Sequence, residues 1–133
     1  MDNRVKSTFL ILILIQGLHS IEEYIGKLWE VFPPARLLTG LVSNNLEVGF
    51  LIINIGLFIF GLICWMFFVR REHSHAVSLI WFWIIIEIIN GIGHPIWSFS
   101  QKAYTPGVVT APILLIVAIY LIRCLYRKTS NYY

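Results

Sequence analysis

Gly17-Leu18-His19-Ser20-Ile21-Glu22-Glu23-Tyr24 places one histidine and two carboxylates directly after an apolar run, Phe9 to Ile15, that has no polar side chain. The run continues into this stretch without a helix breaker. In a bilayer such charges are costly unless they find partners, so intramembrane ionisable groups are functional candidates by default. Residues three and four apart share a helix face. His19, Glu22 and Glu23 therefore form one polar patch on an otherwise apolar helix.

Two later stretches supply partners. In Trp81 to His94, the residues Glu87, Asn90 and His94 follow i, i+3, i+7 spacing and share a face. Glu47 opens a third apolar run, with Asn54 and Gly61 following it at seven-residue steps.

The composition of the whole chain makes the same point. Of 133 residues, 58% are hydrophobic and only 13% charged, and mean hydropathy is +0.77. Soluble domains carry about 25% charged residues. A bilayer-crossing helix needs about 20 mostly apolar residues, and the chain offers four such stretches. The expected fold is all-α: an integral membrane four-helix bundle, one domain over residues 1–133. Helices are expected over about 5–24, 46–69, 76–97 and 108–125.

Residues 26–45 read as a partly interfacial loop between helices one and two. Trp29 is expected at headgroup depth, and Pro33-Pro34 is expected to break any helix. A surface loop tucked against the membrane and a lid over the polar cluster are both open readings. Arg4 and Lys6 before an apolar run resemble a signal peptide. No small-residue cleavage site follows, so a retained first helix is expected.

The net charge of +3 comes from basic residues at helix ends, where they set topology and meet anionic lipid. Nucleic-acid binding is not expected. Arg4, Lys6, Arg70, Arg71, Arg123, Arg127 and Lys128 fall on one side, and Lys27, Arg36 and Lys102 on the other. This bias puts both termini in the cytoplasm. His19, Glu22, Glu23, Glu47, Asn90, His94 and Tyr104 then share the outer half of the bilayer, with Glu87 nearest the midplane. Cys64 and Cys124 form no metal or redox spacing and read as small buried hydrophobes. His73 and His75 read as part of a solvated turn. The tail from Arg127 to Tyr133 is expected to be polar and mobile.

Four Glu and two His match the ligand inventory of ferritin-like dimetal bundles, but the Glu-x-x-His spacing of those sites is absent. A divalent metal held by His19, Glu22, Glu23, Glu47, Glu87 and His94 is expected; zinc, iron or manganese suits such donors. Asn54, Asn90, Tyr104 and Thr110 are expected behind the ligands or facing a substrate. Glu22, Glu23 and Glu87 are the candidate catalytic carboxylates. No serine-nucleophile motif, P-loop, dinucleotide fingerprint or His-Glu-x-x-His is present.

His19-Ser20-Ile21-Glu22-Glu23 resembles the H-x-x-E-E motif that names a family of small integral membrane proteins. Glu87-x-x-Asn90-x-x-x-His94 and Tyr104-Thr105-Pro106-Gly107-x-x-Thr110 resemble its further motifs. The resemblance implies that these positions form a functional site, and it supplies no reaction.

The function expected is a metal-dependent membrane enzyme, a hydrolase or oxidase, acting on a lipid or other amphiphile. The alternative is a non-catalytic membrane protein that binds or transports a small ligand, cation or proton through the same cluster. A metal-free acid/base site and a purely structural network are also open. Membrane lipids are the expected surroundings. Glycines on helices two and three are available for contacts within the chain or in a homodimer.

Overall fold

The computed structural model describes residues 1–129. Those residues form six helices and no strand. The helices are α1 (Asn3–Ile25), α2 (Leu28–Val31), α3 (Pro33–Val42), α4 (Leu46–Ile63), α5 (Ala76–Gln101) and α6 (Ala111–Thr129). Helix α4 runs straight into a π-helical turn, Cys64–Val69. The expected mobile tail lies outside the described residues from position 130 onward, while Arg127 to Thr129 continue α6.

Three helical stretches are long and apolar enough to cross a membrane: Asn3–Ile25, Leu46–Val69 and Ala76–Gln101. Their outer faces bear exposed apolar side chains, among them Ile52, Ile55 and Ile59 on α4 and Ile85, Ile89 and Ile96 on α5. So wide an apolar exterior is what a membrane would cover. The fourth expected stretch is different. Helix α6 begins at Ala111 rather than 108, and Arg123, Arg127 and Lys128 occupy its last turns.

Local chemistry sets the helix ends. Asp2 caps α1 by accepting from the Arg4 N–H at 3.1 Å, and Asn45 caps α4 through the Val48 N–H at 3.2 Å. The proline pair departs from expectation. Pro33 and Pro34 occupy the first positions of α3, where their missing N–H groups have no intrahelical partner to lose. The helical path does break just before them, at the extended Phe32 that ends α2, but they then start α3. Trp29 is buried within the protein rather than exposed on a surface loop. It is 4% exposed, and its ring packs 4.9 Å from Phe50 and 5.6 Å from Tyr24.

The main core lies between α1, α4, α5 and α6. Phe9, Ile13, Ile80, Trp83, Leu114 and Leu121 are all fully buried in it. Helix α6 packs against both α1 and α5. At Gly91 the backbones of α5 and α6 come so close that a Cβ would stand 2.6 Å from Leu115 Cβ. Cys64 and Cys124 are free and buried in this core.

At the end of the bundle opposite α2 and α3, the amino group of Met1 and Lys6 Nζ both hold Glu72, at 2.5 and 2.7 Å. Trp65 Nε1 donates to the Lys6 carbonyl at 3.0 Å. The Lys6 hydrogen bond, with that of the Met1 amino group, holds the Glu72 carboxyl down at about 2.

The two glycines of α5 give a paired expectation. Gly91→Leu forces α5 and α6 apart and lowers stability by about 1–3 kcal/mol. Gly93→Ala, where nothing lies within 4 Å of the added carbon, leaves it nearly unchanged. Thermal unfolding in detergent checks both, and equal effects would contradict the described packing.

Candidate functional site

Helix α1 carries Gln16, His19 and Glu23 on one stripe, and α5 carries Glu87, Asn90 and His94 on another. Each stripe spans seven residues, two turns or about 10 Å of helix. The stripes face each other in the same direction, so the side chains meet as two rungs.

The lower rung joins Gln16 to Glu87. With its amide nitrogen turned toward Glu87, Gln16 reaches the two carboxylate oxygens at 3.1 and 2.9 Å, an orientation set by the hydrogen-bonding environment. Asn90 Nδ2 adds a longer bond to Glu87 Oε2 at 3.4 Å. Glu87 is fully buried and Gln16 is 3% exposed.

The upper rung joins Glu23 to both histidines. Glu23 Oε1 stands 3.3 Å from His19 Nε2 and 3.2 Å from His94 Nε2. The imidazoles meet edge to face, with centroids 4.8 Å apart. His19 is fully buried, and Glu23 and His94 are 7% and 8% exposed.

A third element fixes His19 from behind. The Thr110 hydroxyl donates to Glu22 Oε2 at 2.5 Å and lies 2.7 Å from His19 Nδ1. A hydroxyl has one proton. Having given it to Glu22, Thr110 accepts from His19 Nδ1–H. His19 Nε2 is then the ring's acceptor, facing Glu23. It makes no aligned hydrogen bond despite the 3.3 Å contact.

Two buried acceptors at that distance call for something positive between them. Donors bound to one ion at about 2.0–2.1 Å in tetrahedral array stand about 3.3 Å apart. The two histidine–Glu23 separations match that spacing, and the two histidine nitrogens would have to draw together to share one ion if they stand at the 4.8 Å limit of the group. His19, Glu23 and His94 offer donor atoms within 4.8 Å of one another, and they are the one group of three or more such residues among the described residues that could hold a metal.

Glu22 serves a different purpose from its neighbour. It accepts from Tyr104 Oη at 3.0 Å, the Val109 N–H at 3.0 Å and the Thr110 N–H at 2.9 Å, besides the Thr110 hydroxyl. It thus anchors the turn that leads into α6, where the free N–H groups favour an anion. This is why α6 starts at Ala111: Glu22 holds 108–110 in a turn. Partial burial, and then the Glu22 carboxylate, push the Tyr104 hydroxyl above its ordinary value, so it remains a donor.

Of the six residues expected to hold a metal, the structure brings together His19, Glu23 and His94. Glu22 is engaged with α6. Glu47 is exposed and accepts from Tyr24 Oη at 2.6 Å, because the first turn of α4 faces the outer end of α1. Glu87 belongs to the lower rung. Asn54 lies between α1 and α4, accepting from Ser20 Oγ at 2.8 Å and donating to the Phe50 carbonyl at 3.0 Å. Asn90 reaches Glu87, while Tyr104 and Thr110 reach Glu22.

Gln16 was not singled out from the sequence, and Gly107 entered only as a position of the third motif. Gln16 lies one helical turn before His19, which was a usable signal. Gly107 has φ +92°, and a Cβ there would stand 2.6 Å from His94 Cε1 and 2.8 Å from His19 Cε1. Its backbone closes over both rings, as only glycine allows. No sequence period points to that contact.

Thr110→Val removes the hydroxyl shared by Glu22 and His19. For an ion held by His19, Glu23 and His94, the expected result is a loss of affinity of about 10–100-fold, the usual cost of removing a group that orients a ligand, with helical content retained by circular dichroism. Unchanged affinity for zinc in a competition titration would refute the orienting role.

A protein family described as "Protein of unknown function with HXXEE motif" matches the chain over residues 10–121. No curated protein and no solved structure matches it.

Proposed function

The chain belongs to the HXXEE family of proteins of unknown function, and from its geometry we propose a metal-dependent integral membrane enzyme acting on a lipid or other amphiphile. The observation that carries this reading is the upper rung. His19, Glu23 and His94 converge from two helices, are almost wholly buried, and bring one donor atom each within 4.8 Å of one another, with no aligned hydrogen bond at His19 Nε2.

Two histidines and one carboxylate are the protein ligands of zinc hydrolases that keep a position open for water, and of the iron sites of non-haem oxygenases. Zinc, iron or manganese therefore suits the site, and the reaction class is hydrolytic or oxidative. A metal-bound water at the open position would be the reactant. Of the carboxylates, Glu23 is a ligand, Glu22 holds α6 and orients His19 through Thr110, and Glu87 is the one left to exchange a proton.

In this reading α6 is a fourth crossing helix and the chain is one four-helix membrane domain. The basic ends of α1, α4 and α6 support a cytoplasmic location for both termini. The site then lies in the outer half of the bilayer, with α2 and α3 along the outer surface.

A second reading draws on the lower rung. Glu87 is fully buried and takes its hydrogen bonds from the side-chain amides of Gln16 and Asn90. That would equally serve a protein that binds or passes a cation or proton.

Elemental analysis of chelator-free protein separates the two. The expected result is one equivalent of zinc, iron or manganese in the wild type and in Glu87→Gln, and loss of it in His19→Ala and Glu23→Gln. Absence of metal from the wild type, even after soaking with all three ions, would overturn the enzyme reading. The second would then predict pH-dependent flux in vesicles, abolished in Glu87→Gln.

A further inference from the structure

A small cavity of about 130 Å³ lies beside the upper rung, lined by Phe32, Ile89, Asn90, Gly93, His94 and Trp97. Five of these residues are on α5. Asn90, Gly93, His94 and Trp97 follow i, i+3, i+4, i+7 spacing and so form one face. Phe32 comes from the junction of α2 and α3, and its ring lies 4.4 Å from that of Trp97.

We propose that this cavity is the lateral access path by which the compact polar end of a single-chain amphiphile, such as a fatty acid or its derivative, reaches the His19–Glu23–His94 group from the bilayer. The proposal rests on the metal reading above and adds to it the route and the substrate class.

Four observations support it. The floor is polar: His94 belongs to the group of three, and Asn90 stands one turn away. The mouth is apolar and faces outward, since Ile89 and Ile96 are 64% and 63% exposed on the same side of α5. An aqueous solute would have to cross that belt, whereas an acyl chain can lie along it.

Gly93 makes the opening. It is exposed, and nothing stands within 4 Å of where its Cβ would be. Gly91, two residues earlier, is used for the α5–α6 contact, so the two glycines have different work.

Size restricts the occupant. A cavity of about 130 Å³ holds more than one water and so has room for a compact polar end such as a carboxyl, ester or amide. The Phe32–Trp97 pair forms the outer wall. It is contributed by the segment whose exposed Leu37, Leu38 and Leu41 would lie along the membrane surface. The lid reading of residues 26–45 is in this way narrowed to one side chain, Phe32.

The test uses full-length protein loaded with cobalt(II), a visible-spectrum reporter of its ligands, and two probes, acetohydroxamate and dodecanohydroxamate. In the wild type both change the cobalt spectrum, and the twelve-carbon chain binds at least about tenfold more tightly because its methylenes leave water. Gly93→Ala and Gly93→Leu, and Gly93→Trp where it folds, retain one equivalent of cobalt. Hydroxamate affinity falls progressively with side-chain volume, by at least about tenfold for Leu, as expected when a pocket of this size is filled.

Cobalt-loaded Gly93→Leu that binds hydroxamate as the wild type does would overturn the route. Equal affinity for the two probes would overturn the membrane source and point to a water-soluble substrate. Failure of the wild type to take up cobalt would instead overturn the metal reading, and the access proposal with it. A diazirine-bearing fatty acid gives a readout that needs no metal: labelling of Phe32 or Trp97, lost in Gly93→Leu, is expected. Labelling that does not change in the variant counts against the cavity.

Discussion

Two adjacent carboxylates at the end of an apolar helix have to be satisfied separately, and the rest of the site follows from how that is done. Successive residues on a helix point about 100° apart. Glu23 is therefore turned inward to His19 and His94, while Glu22 is turned to the start of α6 and takes four hydrogen bonds there. Thr110 rejoins the two by bonding Glu22 and His19 at once. The motif spacing has a physical reading on this basis. The last Glu, four residues after His19, shares its face and joins it in the site. The first, three residues after it, has moved round far enough to anchor another helix.

That anchor explains the architecture around it. Helix α6 is wedged against α1 and α5, and its first residues cover the upper rung. Gly107 lies over both imidazoles, and Pro106 lies against Gly26. The seal is thus made of backbone and small residues, which leaves the wall between α3 and α5 as the one where side chains could move aside. The lower rung needs no such cover, because the apolar core packs around Gln16 and Glu87.

Much of this was legible in the sequence. Apolar length identified the helices, and their period put His19 with Glu23 and Glu87 with His94 on shared faces. What period cannot supply is the rotation of one helix relative to another. Glu47 lies on a polar face, yet that face meets Tyr24 rather than the histidines. Glu22 is engaged with the start of α6, and in sequence a carboxylate at this position looks the same whether it serves an ion or a helix N-terminus. Proline chemistry misled in a different way: Pro33-Pro34 obstructs a helix from within but favours one from its first turn, and only the neighbouring Phe32 conformation distinguishes the cases. Gly107 stood in a motif, but its contact with both imidazoles was not foreseeable because it joins two helices through a loop.

The exterior also restricts what the site could act on. Leaving 108–110 as an anchored turn shortens α6, whereas α4 and α5 keep long apolar faces toward the surroundings. A donor group sunk beneath such faces meets amphiphiles far more often than solutes, since apolar chains partition into the same layer and polar ones do not. Under the proposed metal reading, the buried rung and the apolar belt therefore act together. The first supplies an open coordination position away from bulk water, and the second selects by solubility which molecules come near it.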